Sequence, residues 1–274
     1  LALLALAWLL VLVILADMIS TFFLFPAPLN YIAFIALLAI APLLLSYGLV
    51  VPLIVLTLFV QKPFEYFIVR RATEALKKHA AVKIAVAGSF GKTTMREILK
   101  TVLSEGKKVA APPHSYNTPL GISAFVKTLK GDEEILIFEL GEGREGDVRE
   151  LCKLAQPDIG VITGINEAHL KKFKTLERTV KTIYELADYL DDKPTYVSGE
   201  SELAKKTARA GHILYSRTGA GDAKVENEKT DLSGTSFTLL TGSARMELTS
   251  SLLGLHQVGP LAAAADIAKQ PGLS

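Results

Sequence analysis

Hydrophobic and polar positions divide the chain into two regimes. From Leu1 to Gln61 nearly every position is apolar; beyond that, apolar runs of four to six residues alternate with segments of helical period. Leu1 to Phe25 is long enough, at ~1.5 Å per residue, to cross a ~30 Å hydrocarbon core as a helix. After Pro26-Ala27-Pro28-Leu29-Asn30, a second apolar stretch runs from Tyr31 to Val60, interrupted by Pro42, Gly48 and Pro52. It reads either as one tilted, kinked helix or as a tight hairpin broken near Ser46 to Gly48. Phe64, Phe67, Ile68 and Leu76 then recur at helical spacing among basic residues, so Pro63 to His79 reads as an amphipathic helix on a lipid surface or as a linker helix packed on the soluble domain.

The second regime alternates strand and helix. Strands are expected at Val82 to Ala87, Lys108 to Ala111, Ile135 to Glu139, Ile159 to Thr163, Thr195 to Val197 and Ile213 to Ser216. Helices are expected at Thr94 to Ser104, Pro119 to Leu129, Asp147 to Ala155, Leu176 to Leu190 and Ser201 to Ala210, with an alanine-rich one at Leu261 to Lys269. Thr118 suits the N-cap of the helix that opens with Pro119. Beyond Gly219 the pattern turns to short alternating stretches, Ala223 to Glu226, Ser236 to Leu240 and Arg245 to Thr249, which read as antiparallel strands. The expected fold class is therefore α/β: a doubly wound, mostly parallel sheet of phosphate-loop type with a small antiparallel β appendage, preceded by transmembrane α-helices. The expected organisation is a transmembrane segment of two or three spans over 1–61, a basic juxtamembrane helix over 62–80 and a nucleotide-binding domain over 81–274.

Charge sharpens the division. Asp17 is the only formally charged residue before Lys62, so all Lys and Arg lie in the second regime. Lys62, Arg70, Arg71, Lys77 and Lys78 follow the apolar run closely, and the positive-inside tendency sets that side in the cytoplasm. A net charge of +2 with scattered basic residues argues against nucleic acid as a partner. The single cysteine, Cys152, excludes an internal disulfide and suits a reducing compartment. A first residue that is Leu and an end soon after the alanine-rich pattern read as a fragment at both ends.

The candidate chemistry starts where the first strand ends. Gly88-Ser89-Phe90-Gly91-Lys92-Thr93-Thr94 joins that strand to a helix, which is the order of a phosphate-binding loop. Glycines let backbone N–H groups approach phosphate oxygens, the helix N-terminus adds partial positive charge, Lys92 neutralises β/γ-phosphates and Thr93 can ligate Mg²⁺. Val86 stands where the longer form of the motif has glycine, so this is a shortened variant. Glu139 closes a buried parallel strand, where phosphate-loop enzymes carry a magnesium-directing carboxylate. His169 follows another strand end on the same sheet edge, where ligands bind in open α/β sheets.

With these residues in view, the chain from about Lys83 onward resembles the ATP-binding central domain of the Mur ligase family, most closely the branch that adds D-alanyl-D-alanine. The resemblance rests on Gly88 to Thr94, Ser115-Tyr116-Asn117-Thr118-Pro119-Leu120-Gly121, Phe138-Glu139-Leu140-Gly141, Ile162-Thr163 with Ala168-His169-Leu170, and Gly254-Leu255-His256 with Leu261-Ala262-Ala263. It implies that Lys92 and the loop amides hold ATP, that Thr93, Glu139 and His169 serve magnesium, and that Asn117, with Thr118 beside it, lies toward the substrate. It further implies ligation through an acyl phosphate: a muramoyl-peptide carboxylate is activated by ATP and joined to an amino acid or dipeptide amine in peptidoglycan precursor synthesis. The sequence departs from the family pattern in several places. The family's carbamylated lysine, about fourteen positions after the histidine, falls on Ile183, with Lys181 about 200° away on a helix and Glu185 as a candidate substitute. The expected adenine-contacting asparagine falls on Gly259, followed by Pro260. Gly164 and Asn166 are reversed relative to the usual Asn-x-Gly. Membrane segments stand in place of a UDP-binding domain, and the family's C-terminal domain is not in this sequence. Two function classes follow: a ligase anchored at the cytoplasmic face of the bacterial membrane, acting on a soluble or lipid-linked precursor, and a catalytically degenerate nucleotide-binding scaffold for wall enzymes.

Overall fold

The computed structural model describes residues 13, 17, 19, 20, 27–113, 116–166 and 175–270. The apolar stretch expected from Leu1 to Phe25 lies almost entirely outside them. The chain divides into two compact units, Leu1–Phe67 and Ile68–Ser274.

In the first unit the described chain is essentially one helix. Helix α1 (Ala27–Lys78) starts inside the segment expected as a loop and continues through Pro42, Ser46 to Gly48, Pro52 and Pro63. The hairpin reading is thereby corrected, and so is the separate helix from Pro63. Each proline removes one N–H from the helical ladder but leaves the neighbouring bonds, so a helix survives widely spaced prolines. Among the described residues, the segment Val50–Lys78 is long and apolar enough to cross a membrane, by length and composition. Leu53, Phe59, Val60 and Phe64 on it are exposed.

The second unit begins with the last turns of α1, where Ala72 and Leu76 are buried in the core. Leu76 thus serves packing rather than a lipid-facing stripe. The strands form one ten-stranded sheet. Its parallel half holds β1 (Val82–Ala87), β2 (Val109–Ala110), β3 (Ile135–Glu139), β4 (Ile159–Ile162), β5 (Thr195–Ser198) and β6 (Ile213–Ser216), in the order β2-β3-β1-β4-β5-β6. The antiparallel half, β7 (Gly219–Ala220), β8 (Ala223–Asp231), β9 (Gly234–Thr241) and β10 (Ala244–Ser250), continues from β6 in the same sheet. The expected appendage is therefore an extension of the main sheet, and its strands are longer than the alternation alone suggested. A β-bulge between Glu226 and Lys229 masked the second part of β8.

Helices cover both faces of the parallel half. Alternate strand residues divide between two cores: Ala85, Ala87, Leu136 and Phe138 face one, and Ile84, Val86, Ile135 and Ile137 face the other. The first core is closed by the end of α1, α3 (Pro119–Val126), α4 (Asp147–Ala155), α5 (Leu176–Leu190) and α6 (Glu202–Thr207). The second is closed by α2 (Lys92–Leu103) and α7 (Val258–Ile267). A sheet buried on both faces needs apolar residues at every position, which is why these strands read as continuous runs. Polar side chains are then admitted mainly at the strand ends.

Candidate nucleotide site

The site lies at the carboxyl ends of β1, β3 and β4. β1 pairs with β3 on one side and with β4 on the other, in parallel register, so Ala87, Glu139 and Ile162 finish at one edge. The loop from Gly88 to Gly91 leaves β1 and enters α2 at Lys92. Two glycines shape it. Gly91 takes φ 81° as the N-cap of α2, which no side chain caps. Gly88 takes φ 147°, and a Cβ there would lie 2.1 Å from the Thr163 hydroxyl oxygen.

That hydroxyl is a staple. Thr163 Oγ1 donates to Phe90 O at 2.6 Å and lies 3.2 Å from Ala87 O. The backbone N–H groups of Ser89 and Phe90 both donate to Gly164 O, at 2.8 and 3.2 Å. Gly164 also seats the Phe90 ring, which a Cβ at that position would strike. The expectation that all the loop amides face a phosphate therefore narrows: those of Ser89 and Phe90 are used by the end of β4. The uncapped start of α2, from Lys92 to Thr94, keeps the geometry of an anion-binding helix terminus.

The charged groups are buried and paired. Lys92 Nζ lies 2.9 Å from each Glu142 carboxylate oxygen and also contacts Gly88 O. Thr93 Oγ1 donates to Glu139 Oε2 at 3.0 Å, and Arg96 Nη1 approaches the same oxygen at 3.5 Å. Glu139 is buried at 3 % exposure, which rules out an idle surface glutamate at the strand end. Asn117 accepts the Gly141 N–H through its backbone oxygen, and Thr118 Oγ1 accepts the Gly121 N–H at the start of α3. Both line a cavity of about 610 Å³ with Lys92, Glu139, Glu142 and Arg144. Lys92, Thr93, Glu139, Asn117 and Thr118 are thus brought together. His169 and its neighbours Glu167 and Ala168 lie outside the described residues, as does the His114-Ser115 part of the loop before Asn117.

Glu142 and Arg96 are the site residues that sequence reasoning missed. Glu142 is an acid three residues beyond Glu139 between two glycines, a signal for a chain turn that carries a carboxylate back over the strand end. Arg96 is one helical turn past Lys92, which sets it on the same side of α2.

The departures from the family pattern also find their places. Ile183 is fully buried in the core. Lys181 pairs with Glu145. Glu185 accepts the backbone N–H groups of Gly146 and Arg149, at 2.8 and 3.0 Å, and so caps α4 from a neighbouring helix. Its carboxylate is committed to that helix start, which corrects its candidacy as a replacement metal ligand. At Gly259 a Cβ would lie 3.0 Å from the Ser216 backbone, so a close approach of α7 to the end of β6 makes any side chain there a tight fit.

The residues present fit magnesium with a nucleotide. Thr93 and Glu139 offer hard oxygen donors, and among the described residues no group of three His, Cys, Asp or Glu forms a protein cage. Magnesium in phosphate-transfer sites takes few protein ligands and fills its shell with phosphate and water oxygens.

Fold and site together define an α/β domain in which a glycine loop, the start of a helix and two buried carboxylates meet at the carboxyl edge of a parallel sheet. The model of the Mur ligase middle domain matches residues 86–268, and the chain belongs to that family. It is 31 % identical over 197 residues to UDP-N-acetylmuramoyl-tripeptide–D-alanyl-D-alanine ligase of Mycobacterium tuberculosis, covering 70 % of this chain and 38 % of the relative. The ligase of the same name from Rickettsia prowazekii is 35 % identical over 127 residues, or 43 % of this chain and 28 % of the relative. Among solved structures, MurF ligase from Thermotoga maritima in complex with ADP aligns with a TM-score of 0.66 at 25 % identity, over 77 % of this chain and 50 % of that one. MurF from Acinetobacter baumannii shares the fold with a TM-score of 0.68 at 22 % identity, over 77 % of this chain and 47 % of that one. The chain therefore spans half or less of the length of these four proteins.

Proposed function

We propose that this chain is the nucleotide-binding part of a membrane-anchored, ATP-dependent ligase that joins an amine to a peptide carboxylate in peptidoglycan precursor synthesis. The observation that carries the reading is the meeting of Lys92 and Thr93, at the start of α2, with Glu139, at the end of β3, where Thr93 and Glu139 stand 3.0 Å apart. Relatives named as ligases of a muramoyl tripeptide and D-alanyl-D-alanine support the substrate class.

In this reading an acceptor carboxylate oxygen attacks the γ-phosphorus of ATP, and the bond from that phosphorus to the bridging oxygen breaks, releasing ADP. The amine then attacks the acyl carbon, and phosphate leaves with the former carboxylate oxygen. Lys92 offsets charge on the transferring phosphoryl group, and Thr93 and Glu139 are the residues that would hold magnesium, with His169 proposed beside them. Magnesium, when bound, supplies neutralisation of phosphate charge. Asn117 and Thr118 border the path of the acceptor. The apolar part of α1, followed by Lys62, Arg70 and Arg71, supports an anchor that keeps the α/β unit on the cytoplasmic face. A lipid-linked acceptor fits that anchoring.

The test is phosphate release by the complete reading frame in membranes, with muramoyl-peptide acceptor and D-alanyl-D-alanine added singly and together. Release that needs both substrates and falls by a factor of ~10³ or more in Lys92→Ala is the expected result. Release independent of either substrate sinks the ligase reading. Exchanging the apolar segment for a soluble tag tests the anchor: activity on a lipid-linked acceptor should drop, and unchanged activity counts against it. A second reading, a nucleotide-binding scaffold without ligase activity, is favoured by the buried Ile183 where the family has its lysine. Nucleotide binding that depends on Lys92, without any substrate-dependent phosphate release, would select it.

A further inference from the structure

We propose that Glu142 makes this site selective for the metal-complexed form of its nucleotide over the free polyphosphate. The inference rests on the nucleotide-site reading above and extends it to a residue that reading does not use. Both carboxylate oxygens of Glu142 stand 2.9 Å from Lys92 Nζ. The two side chains are 1 % and 12 % exposed. The lysine that should meet a phosphate is therefore already matched by a buried carboxylate. A second buried carboxylate, Glu139, stands three residues earlier at the end of β3, and it shares Arg96 with Glu97.

Two buried acids on this edge make the entry of a bare polyphosphate costly. The phosphate must either sit against Glu142 or displace it from Lys92, and each course leaves negative charges facing one another in a poorly solvated place. A nucleotide that arrives with a divalent cation brings the missing positive charge with it. The phosphates then take Lys92 while the cation offsets Glu139 and Glu142. Charge is the relevant property of Glu142, because glutamine has the same shape and hydrogen-bonds Lys92 through one oxygen without opposing a phosphate.

ADP binding to the full chain in detergent separates the possibilities, measured with excess EDTA and again with excess Mg²⁺. In the parent, ADP should bind at least ~30-fold more weakly in EDTA than in Mg²⁺. In Glu142→Gln, binding in EDTA should tighten about tenfold, a change of ~1.4 kcal/mol, while binding in Mg²⁺ should not tighten. The Mg²⁺ preference then collapses. An unchanged preference, or weaker ADP binding in EDTA, overturns the inference. Glu142→Ala serves where Glu142→Gln does not fold: removing the carboxylate should likewise tighten metal-free binding several-fold, and no change again overturns it. Lys92→Ala separates this inference from the reading beneath it. If that variant binds ADP like the parent in Mg²⁺, the nucleotide-site reading fails. If it loses binding while Glu142→Gln keeps the parent's preference, only the role of Glu142 fails.

Discussion

The two halves of the sheet are continuous through β6 and β7 but do different work. In the parallel half, β1, β3 and β4 are sealed on both faces, and their charges gather at one edge, where Lys92, Glu139 and Glu142 are held in pairs. In the antiparallel half, β8 and β10 are largely exposed, and the ion pair Arg217–Glu228 is part-exposed on the surface. A buried charge must be positioned by its surroundings, whereas a surface charge can move with solvent. The difference teaches where precision resides: substitutions on the covers and loop of the parallel half should be costly, and those on the antiparallel turns cheap.

The largest effect is expected at Ile183→Lys, which introduces the lysine that the family resemblance implies at this position. Ile183 is fully buried, so an ammonium there lacks a partner and should cost about 3–5 kcal/mol. Chemical unfolding or loss of soluble protein reads it. A variant as stable as the parent that also gains substrate-dependent phosphate release would show that this turn of α5 reaches the site.

Gly88→Ala comes next. A φ of 147° and a Cβ 2.1 Å from Thr163 Oγ1 combine backbone strain with a clash, an expected loss of about 2–3 kcal/mol. The double variant Gly88→Ala/Thr163→Ala should be less damaging than the sum of the two singles, because the alanine at 163 removes the clashing atom. Strict additivity would mean that the loop does not lean on the end of β4.

These positions mark how far the sequence could be read. The strand Ile135–Glu139 and the helices Asp147–Ala155 and Leu176–Leu190 lie where the apolar spacing sets them, because burial on a covered face leaves a periodic trace. The loop glycines and Lys92 were legible because a short motif encodes a local turn. Glu142 was not: its partner lies 50 residues away, and the pairing follows only once β3 is seated beside β1. Glu185 was misread for a related reason, since an acid that caps α4 from α5 looks like any other helical glutamate until the two helices touch. The continuity of α1 was hidden by its prolines, which punctuate a sequence more strongly than they break a long apolar helix.

Glu185→Ala tests that capping contact and should have a moderate effect. It leaves the Gly146 and Arg149 N–H groups without their carboxylate and should cost about 1–2 kcal/mol. Nucleotide binding should change little, since Glu185 itself does not line the cavity. A selective loss of Mg²⁺-dependent nucleotide binding at unchanged stability would return Glu185 to candidacy as a metal ligand.

The smallest effect belongs to the opposite end of the sheet. Leu232 sits in the two-residue turn between β8 and β9 at 99 % exposure, and the turn is held by Asp231, whose carboxylate accepts the Ser233 N–H at 2.7 Å. Leu232→Ser should therefore shift stability by no more than ~0.5 kcal/mol, with nucleotide binding unaltered. A loss above ~1 kcal/mol, or a change in sedimentation of the chain, would mean that this apolar tip is covered in solution, and the contrast between a precise half and a tolerant half would fail at its most exposed point.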